Sequence, residues 1–307
     1  MSALHRRTLQ NNIPVQALDE TVHEPNVEQV QNKRALRPAR VLLHLFLTIA
    51  SILMALPFLW MILSSFKPLD EIFIKPPKMF PMAWTIQNYQ TAFGTGSFYT
   101  SFFNSFYIAT LVTVISLITC AMAAYAFARM RFPGNNALFG VFLATMMVPF
   151  QLIVIPQYLI LGELRWIDTH LALIVPPALF NAFGVFLLRQ YVRGIPLELE
   201  EAAAIDGAGR VKIFLTMILP LLKTPMVALG IFIFLGRWND FLAPLIFINT
   251  DTLFTLPLWV AQFKGAYSSD WGGLMAATSL AAVPFLIIFI IAQKQIVEGI
   301  ALSGSKT

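Results

Sequence analysis

The chain has 307 residues, of which 57% are hydrophobic and only 12% are charged, and its mean hydropathy is +0.70. Soluble domains carry about a quarter charged residues, so this composition excludes an ordinary soluble domain and predicts a membrane protein. The net charge of +5 does not indicate a nucleic-acid partner, because the basic residues are spread over short loops beside apolar segments.

Residues 1–40 are polar with little apolar periodicity, so we expect them to form a disordered cytoplasmic tail. Residues 41–293 carry six apolar segments, each long enough to cross a bilayer as a helix, which takes about 20 residues. The predicted fold is therefore an all-α membrane protein with a bundle of six transmembrane helices, followed by a cytoplasmic tail at 294–307. The predicted membrane segments are 41–65, 102–128, 138–160, 170–192, 224–249 and 272–293.

The basic residues predict the orientation of these segments, because cytoplasmic loops are enriched in Lys and Arg. With the N-terminus inside, fifteen of the 21 Lys and Arg residues lie in cytoplasmic stretches, and both termini are cytoplasmic. The basic residues assigned to outer stretches are Lys67, Lys75, Lys78, Arg165, Arg237 and Lys264.

The charged inner loop at residues 194–223, here called the elbow, is the most informative stretch between the membrane segments. Pro196 and the glutamates from Glu198 onward predict a helix start, since proline is favoured in the first turn and carboxylates complement the helix dipole. Three consecutive alanines continue this helix, and Gly207 is predicted to end it. A second short helix is predicted over about 209–219, ending at a proline.

The composition of the elbow favours docking onto a protein over binding to lipid. Helices that lie on a membrane surface carry Lys and Arg on their polar face and bulky apolar anchors. The first elbow helix is instead acidic and small, so its backbone can enter a narrow cleft while its carboxylates pair with Arg or Lys on the walls. We therefore expect a soluble protein to bind the elbow.

The elbow resembles the EAA motif of ABC importer permeases. Its Glu201-Ala-Ala, Gly207 and Leu219-Pro220 stand at the spacing of that motif, with one departure, since Met217 replaces the usual Ile. The fuller string at 200–208 is similar to the carbohydrate-importer branch, in particular to the maltose-type second permease subunit. The resemblance covers residues 41–304. Other strings that agree with it are Asn88-Tyr89, Ala124-Tyr125-Ala126-Phe127-Ala128-Arg129, Met147-Val148-Pro149, Ile155-Pro156-Gln157-Tyr158 and Trp238-Asn239-Asp240-Phe241.

The resemblance implies a permease subunit of an ATP-driven importer in the cytoplasmic membrane of a prokaryote, for an oligosaccharide, a disaccharide or a polyol. A non-sugar solute such as glycerol-3-phosphate is the alternative within the family. The implied partners are a second, homologous permease in a heterodimer, two copies of a cytoplasmic nucleotide-binding ATPase and an extracytoplasmic solute-binding protein. The chain itself would bind no cofactor, because ATP and Mg²⁺ are used by the ATPase. The residues assigned to ATPase coupling are Glu200, Glu201, Ala202, Ala203, Asp206, Gly207, Leu219 and Pro220.

The C-terminal tail, with Gly299, Gly304 and Lys306, looks like the family's tail that reaches between the nucleotide-binding subunits. The same residues nearly match a phosphate-binding loop, but Ser305 separates the glycine from the lysine and no strand precedes the motif. We therefore predict that this chain does not hydrolyse ATP by itself.

Two other functional classes fit the sequence less well. An intramembrane enzyme needs a Ser–His, Cys–His or paired-aspartate constellation in the membrane, and the sequence shows none. A secondary transporter has no use for an acidic docking loop, and six segments without inverted halves fit it poorly. The sole cysteine, Cys120, lies in an apolar run, and the four histidines lie far apart, so no metal site is expected.

Polar residues within the apolar segments are candidates for a substrate path, since ionisable groups at that depth face a bundle interior or a cavity. Arg237 and Asp240 are expected either to line the route of a hydroxyl-rich solute, with Trp238 as a stacking face, or to form a structural pair or an anchor to the second permease. The structural interpretation is slightly favoured. Weaker candidates are Gln151 and Asn104-Ser105. The substrate-path candidates are Arg237, Trp238, Asn239, Asp240 and Asn181.

Overall fold

The computed structural model describes residues 27–94, 97–265 and 270–304. Within these residues the chain forms fifteen α-helical segments joined by turns and loops. In chain order they are α1 (Val27–Ser65), α2 (Leu69–Ile72), α3 (Gln87–Gly94), α4 (Phe98–Arg129), α5 (Asn135–Ala144), α6 (Phe150–Glu163), α7 (Leu171–Leu179), α8 (Ala182–Gly194), α9 (Glu198–Ile205), α10 (Arg210–Ile213), α11 (Leu219–Leu221), α12 (Lys223–Trp238), α13 (Leu242–Phe247), α14 (Leu256–Ala261) and α15 (Trp271–Gly304).

Four stretches of the described chain are long and apolar enough to cross a membrane as helices: Arg40–Ser65, Phe98–Arg129, Leu171–Gly194 and Trp271–Ile291. Two further candidates are bent pairs. The pair Asn135–Met147 and Phe150–Glu163 is bent by 105°, and the pair Arg210–Leu221 and Lys223–Trp238 by 74°. The described residues therefore offer six spans, the predicted number, if each bent pair crosses once.

Prolines explain the breaks within the predicted segments at 138–160 and 224–249. The segment predicted at 138–160 breaks at Pro149, whose extended backbone (ψ 144°) starts α6 in a new direction. The segment predicted at 224–249 ends as a helix at Trp238, and α13 follows after a break. Pro244 within α13 has no N–H to donate to the carbonyl four residues earlier, so α12 cannot continue through this region with full hydrogen bonding.

The N-terminal boundary also differs from the prediction. Helix α1 begins at Val27, inside the segment 1–40 that was expected to be an unstructured tail. The residues from 27 to 39 are rich in Glu, Gln, Lys, Arg and Ala, which are strong helix formers. Residues 1–26 lie outside the described part of the chain.

The chain divides into two compact units, Met1–Leu59 and Trp60–Thr307. The first unit contains α1 up to Leu59. In the second unit α4 is the central helix, and α7, α8 and α12 pack along it. Small residues permit this close packing: a Cβ atom added at Gly184 of α8 would lie only 2.7 Å from the Sγ atom of the buried Cys120.

Candidate functional site

The first elbow helix, α9, begins at Glu198, with three glutamates in its first turn. Its end has the hydrogen bonds of a Schellman motif: the Gly207 N–H donates to the Ala204 carbonyl, and the Ala208 N–H donates to the Ala203 carbonyl. Gly207 has φ +82°, in the left-handed region that favours glycine. The predicted glycine bend is therefore present, and its backbone conformation explains the residue type.

The second half of the elbow is less regular than predicted. Helix α10 is followed by a π-helical segment, Phe214–Ile218, and then by α11, which contains Pro220. Because proline has no N–H, Pro220 cannot complete an α-helical hydrogen bond to the fourth preceding residue, and the turn before it widens. The chain does not stop being helical at Pro220 but bends by 74° into α12.

The residues predicted to couple to an ATPase divide into exposed and inward-facing groups. Ala203 and Leu219 are half-buried, and Glu200 is buried with 8% of its surface exposed. Sequence reasoning missed two apolar side chains at the turn, Ile205 and Val211, which are 87% and 72% exposed. The exposed members of the predicted set are Glu201, Ala202, Asp206, Gly207 and Pro220.

Glu200 is held inside this chain by an ion pair to α4. The Arg129 Nε atom lies 2.6 Å from the Glu200 Oε1 atom, and both side chains are nearly buried, with exposed fractions of 13% and 10%. The Tyr125 hydroxyl donates to the other carboxylate oxygen at 3.2 Å. Glu200 therefore anchors the elbow to the end of α4, and its assignment to ATPase coupling stays a prediction.

Arg129 connects three helix ends through one guanidinium group. Besides pairing with Glu200, its Nη2 atom donates to the carbonyl oxygens of Val192 and Ile195, at the C-terminus of α8. A cation at this position satisfies carbonyls that have no partner within the helix and complements the negative end of the dipole. We call Arg129, Glu200 and Tyr125 the clamp. The feature of the sequence that could have indicated the clamp is Arg129, an arginine at the end of a long apolar helix.

Two of the predicted substrate-path residues form an ion pair at the wall of a cavity. The Arg237 Nη1 atom lies 2.9 Å from the Asp240 Oδ2 atom, and both side chains are half-buried. They line a cavity of about 760 Å³ whose other walls are mainly apolar, with Phe150, Pro176 and Phe180 among them.

Asn181 lies beside a second cavity, of about 380 Å³, which Arg237 also lines. It occupies the break between α7 and α8, where Pro176 and Pro177 precede it, and its side chain accepts a hydrogen bond from the Gly184 N–H. The Asn181 amide therefore caps the N-terminus of α8. This capping role explains a polar residue within the apolar segment without any contact to a solute.

The remaining substrate-path predictions do not line these cavities. Trp238 is 2% exposed and stacks against Phe234 with ring centroids 6.0 Å apart, so its ring packs in the aromatic core, and a role as a stacking face for a solute stays a prediction. It turns inward because an indole ring gains more from the aromatic core than from an aqueous path. Asn239 is exposed, and its amide donates to the Leu235 carbonyl at the end of α12.

Asn104 and Ser105, the weaker candidates on α4, hold the loop that follows α13 in place. The Asn104 side chain donates to the carbonyls of Thr252 and Phe254 at 3.0 Å each, and the Ser105 hydroxyl accepts from the Leu256 N–H at 2.7 Å. Both side chains are buried, so they satisfy backbone groups of the loop rather than line a path.

A second set of hydrogen bonds, to Asp168, holds the start of the same loop. The Asp168 carboxylate accepts hydrogen bonds from the Thr250 hydroxyl and from the N–H groups of Asn249 and Thr250. These bonds stabilise the charged form and lower the pKa of Asp168.

Of the predicted tail contacts, Gly299 and Gly304 lie in α15, and Lys306 lies outside the described residues.

Comparison with known proteins places the chain among transport proteins. Residues 118–301 match the family model described as binding-protein-dependent transport system inner membrane component. An arabinooligosaccharides transport system permease, AraQ of Halalkalibacterium halodurans, is 34% identical over 81% of this chain and 90% of its own length. A diacetylchitobiose uptake system permease, DasC of Streptomyces coelicolor, is 33% identical over 81% of this chain and 91% of its own length.

A solved structure shares the fold. It is a chain of a bacterial ABC transporter involved in the import of the acidic polysaccharide alginate, with a TM-score of 0.73 and 22% identity. The match covers 85% of this chain and 97% of the other.

Proposed function

This chain belongs to the family of binding-protein-dependent transport system inner membrane components, the permeases of ABC transporters, and on that premise we propose that it imports a carbohydrate by coupling to a separate ATPase through the elbow. The proposed solute is an oligosaccharide, a disaccharide or a polyol. The names of the two relatives support this class, since both are sugar permeases.

The proposed assembly has this chain crossing the membrane six times with both termini in the cytoplasm. It pairs with a second, homologous permease, stands above two copies of the ATPase and receives the solute from an extracytoplasmic binding protein. The family description, binding-protein-dependent transport, supports the last partner. ATP and Mg²⁺ belong to the ATPase in this proposal.

The observation that carries the coupling proposal is the division of α9 into two faces. Glu200 faces inward and is fixed by the clamp, whereas Glu201, Ile205 and Asp206 are exposed. An exposed Ile beside two carboxylates suits a cleft with apolar walls and basic rims. A partner that grips the exposed face would therefore pull on α4 through Arg129.

Helix α4 is suited to carry such a displacement across the membrane. It has 32 residues, which corresponds to about 48 Å at 1.5 Å per residue, longer than the hydrocarbon core of about 30 Å. Its inner end is fixed to the elbow by Arg129, and near its outer end Asn104 and Ser105 hold the loop at 252–256. We propose that closure of the ATPase moves α4 and the elbow as one rigid body.

For Arg237 and Asp240 we propose a structural role. Their mutual ion pair already satisfies the charges, and the 760 Å³ cavity beside them is mainly apolar. Such walls suit the helices of a second permease better than a solute rich in hydroxyl groups.

The test of the function is co-purification of the chain with a co-expressed ATPase from its own operon, together with ATP-dependent sugar uptake into proteoliposomes. The unmodified chain is expected to retain the ATPase. Glu201→Lys is expected to lower retention by about tenfold or more, because it places a like charge against the basic rim. Glu198→Lys, an equal change at another exposed position of α9, is the matched control.

Two results would contradict the proposal. One is full retention of the ATPase by Glu201→Lys with normal uptake. The other is sugar uptake by the permease pair without any ATPase, which would indicate a secondary transporter.

A further inference from the structure

A basic pocket lies at the inner ends of three helices. It has a volume of about 580 Å³ and is formed by the C-terminal end of α4, the turn that follows it, the N-terminus of α5 and the C-terminal end of α8. Three of its lining residues are arginines, Arg129, Arg131 and Arg193, and none is acidic. The clamp uses Arg129, but the role of the pocket itself is not explained by the coupling mechanism.

The charges around this pocket are not balanced within the described chain. Arg129 pairs with Glu200, whereas Arg131 and Arg193 are exposed and form no ion pair with any residue that the structure describes. Arg189 lies close by on α8 and is buried, with its Nε atom bonded to the Phe127 carbonyl and its guanidinium 3.9 Å from the centre of the Phe139 ring. Of these four arginines only Arg129 pairs with a carboxylate among the described residues, and an anion in the pocket would relieve the repulsion between the arginines.

Hydrogen-bond donors complete the wall. Asn135 and Asn136 line the pocket at the start of α5, where the Asn135 side-chain amide already donates to the Met130 carbonyl and no side chain caps the helix N-terminus. Uncapped N–H groups at a helix start attract anions, and guanidinium groups bind phosphate oxygens in bidentate fashion. The donors and charges together suit a phosphate group.

The surroundings of the pocket identify the source of that phosphate. Its rim carries exposed apolar side chains, Met130, Phe132 and Leu197, and α5 continues with Leu138 and Val141, which are also exposed. Since α5 begins a candidate membrane span, a phosphate bound at its start can have acyl chains lying along this apolar surface. The elbow residues Ile205 and Asp206, proposed to meet the ATPase, are not part of the wall.

We propose that this pocket is a binding site for the headgroup of an anionic phospholipid of the cytoplasmic leaflet. Arg131 and Arg193 hold the phosphate, and Asn136 and the α5 N-terminus contribute hydrogen bonds. The proposal rests on the proposed orientation, in which this side of the protein is cytoplasmic.

The test uses the complete complex in mild detergent, titrated with phosphatidylglycerol, phosphatidylcholine or inorganic phosphate, with bound ligand measured by native mass spectrometry. The unmodified complex is expected to retain phosphatidylglycerol and to release phosphatidylcholine. The double variant R131Q/R193Q is expected to bind phosphatidylglycerol about thirty-fold more weakly, the effect of two arginines at an anionic surface. The control K212Q/K223Q removes the same charge from exposed positions outside the pocket and is expected to bind normally.

Equal retention by the two double variants would overturn the proposal. So would inorganic phosphate that displaces the lipid at similar concentration, which would indicate a site for a free anion. If R131Q/R193Q fails to fold, the site is tested instead by crosslinking a photoactivatable phosphatidylglycerol to the unmodified complex. It must label peptides from 127–136 or 193–197, and a crosslink from these peptides to an ATPase subunit instead would refute a lipid site.

These measurements are independent of transport. Failure of the unmodified complex to retain phosphatidylglycerol, together with intact ATP-dependent uptake, refutes the lipid site and leaves the proposed function standing. The same mass spectra show whether the ATPase is part of the complex. Its absence would contradict the proposed function but not the lipid site.

Discussion

Glu200→Ala is expected to reduce ATP-coupled uptake at least tenfold while the chain still inserts into the membrane. The substitution leaves Arg129 nearly buried without its carboxylate, and breaking a buried ion pair from one side costs about 3–5 kcal/mol. At about 3 kcal/mol the amides of the elbow should exchange with solvent about a hundredfold faster, because the elbow opens more often. Hydrogen exchange of the segment at 196–210 and uptake in proteoliposomes measure the two effects.

The matched control is Glu198→Ala, which removes a carboxylate from the same first turn of α9 at an exposed position. It should leave both exchange and uptake close to those of the unmodified chain. Equal hydrogen exchange and equal uptake in the two alanine variants would show that the clamp does not fix the elbow.

Gly207→Val is expected to lower uptake by about tenfold to a hundredfold without reducing the amount of permease in the membrane. At φ +82° a β-branched residue is strained by roughly 1–3 kcal/mol, so the Schellman turn opens and the exposed face of α9 changes direction. Crowding within the chain is not the cause, because a Cβ atom at this position meets nothing within 4 Å. Uptake per inserted permease is the measurement.

Gly209→Val provides the control for this prediction. Gly209 has φ −71°, which any residue adopts, and a Cβ atom there also meets nothing within 4 Å. Valine at this position should be tolerated. Equal losses at both glycines would mean that the left-handed turn is not the sensitive feature.

The sequence predicted the elbow well where local chemistry decides the structure. Glutamates, alanines and Gly207 predicted a short helix with a glycine bend, and both are present because capping and left-handed backbone preferences act over a few residues. The inward direction of Glu200 was not predictable from these residues. It depends on Arg129, which lies 71 residues earlier and meets the elbow only through packing of α4 on α8.

Hydropathy predicted the candidate membrane segments but not their bends. The hydropathy of a segment does not distinguish a straight helix from one that bends by 105° at Pro149, because both bury similar side chains. Trp238, the neighbour of Arg237 in sequence, was considered as a stacking face for a solute in one of two interpretations. On a helix, adjacent residues face different directions, and the aromatic cluster with Phe234 decides which one is buried.

The most direct test of the account is where an elbow cysteine can be crosslinked. The native Cys120 is buried, so cysteine substituted at Ile205, the most exposed apolar position of α9, becomes the reactive thiol. We expect Ile205→Cys to crosslink to the co-expressed ATPase and to react with an impermeant maleimide only in inside-out vesicles, whereas Arg165→Cys should react only from outside. Crosslinking of Ile205→Cys to lipid alone, or its labelling from the outer face, would contradict coupling through the elbow.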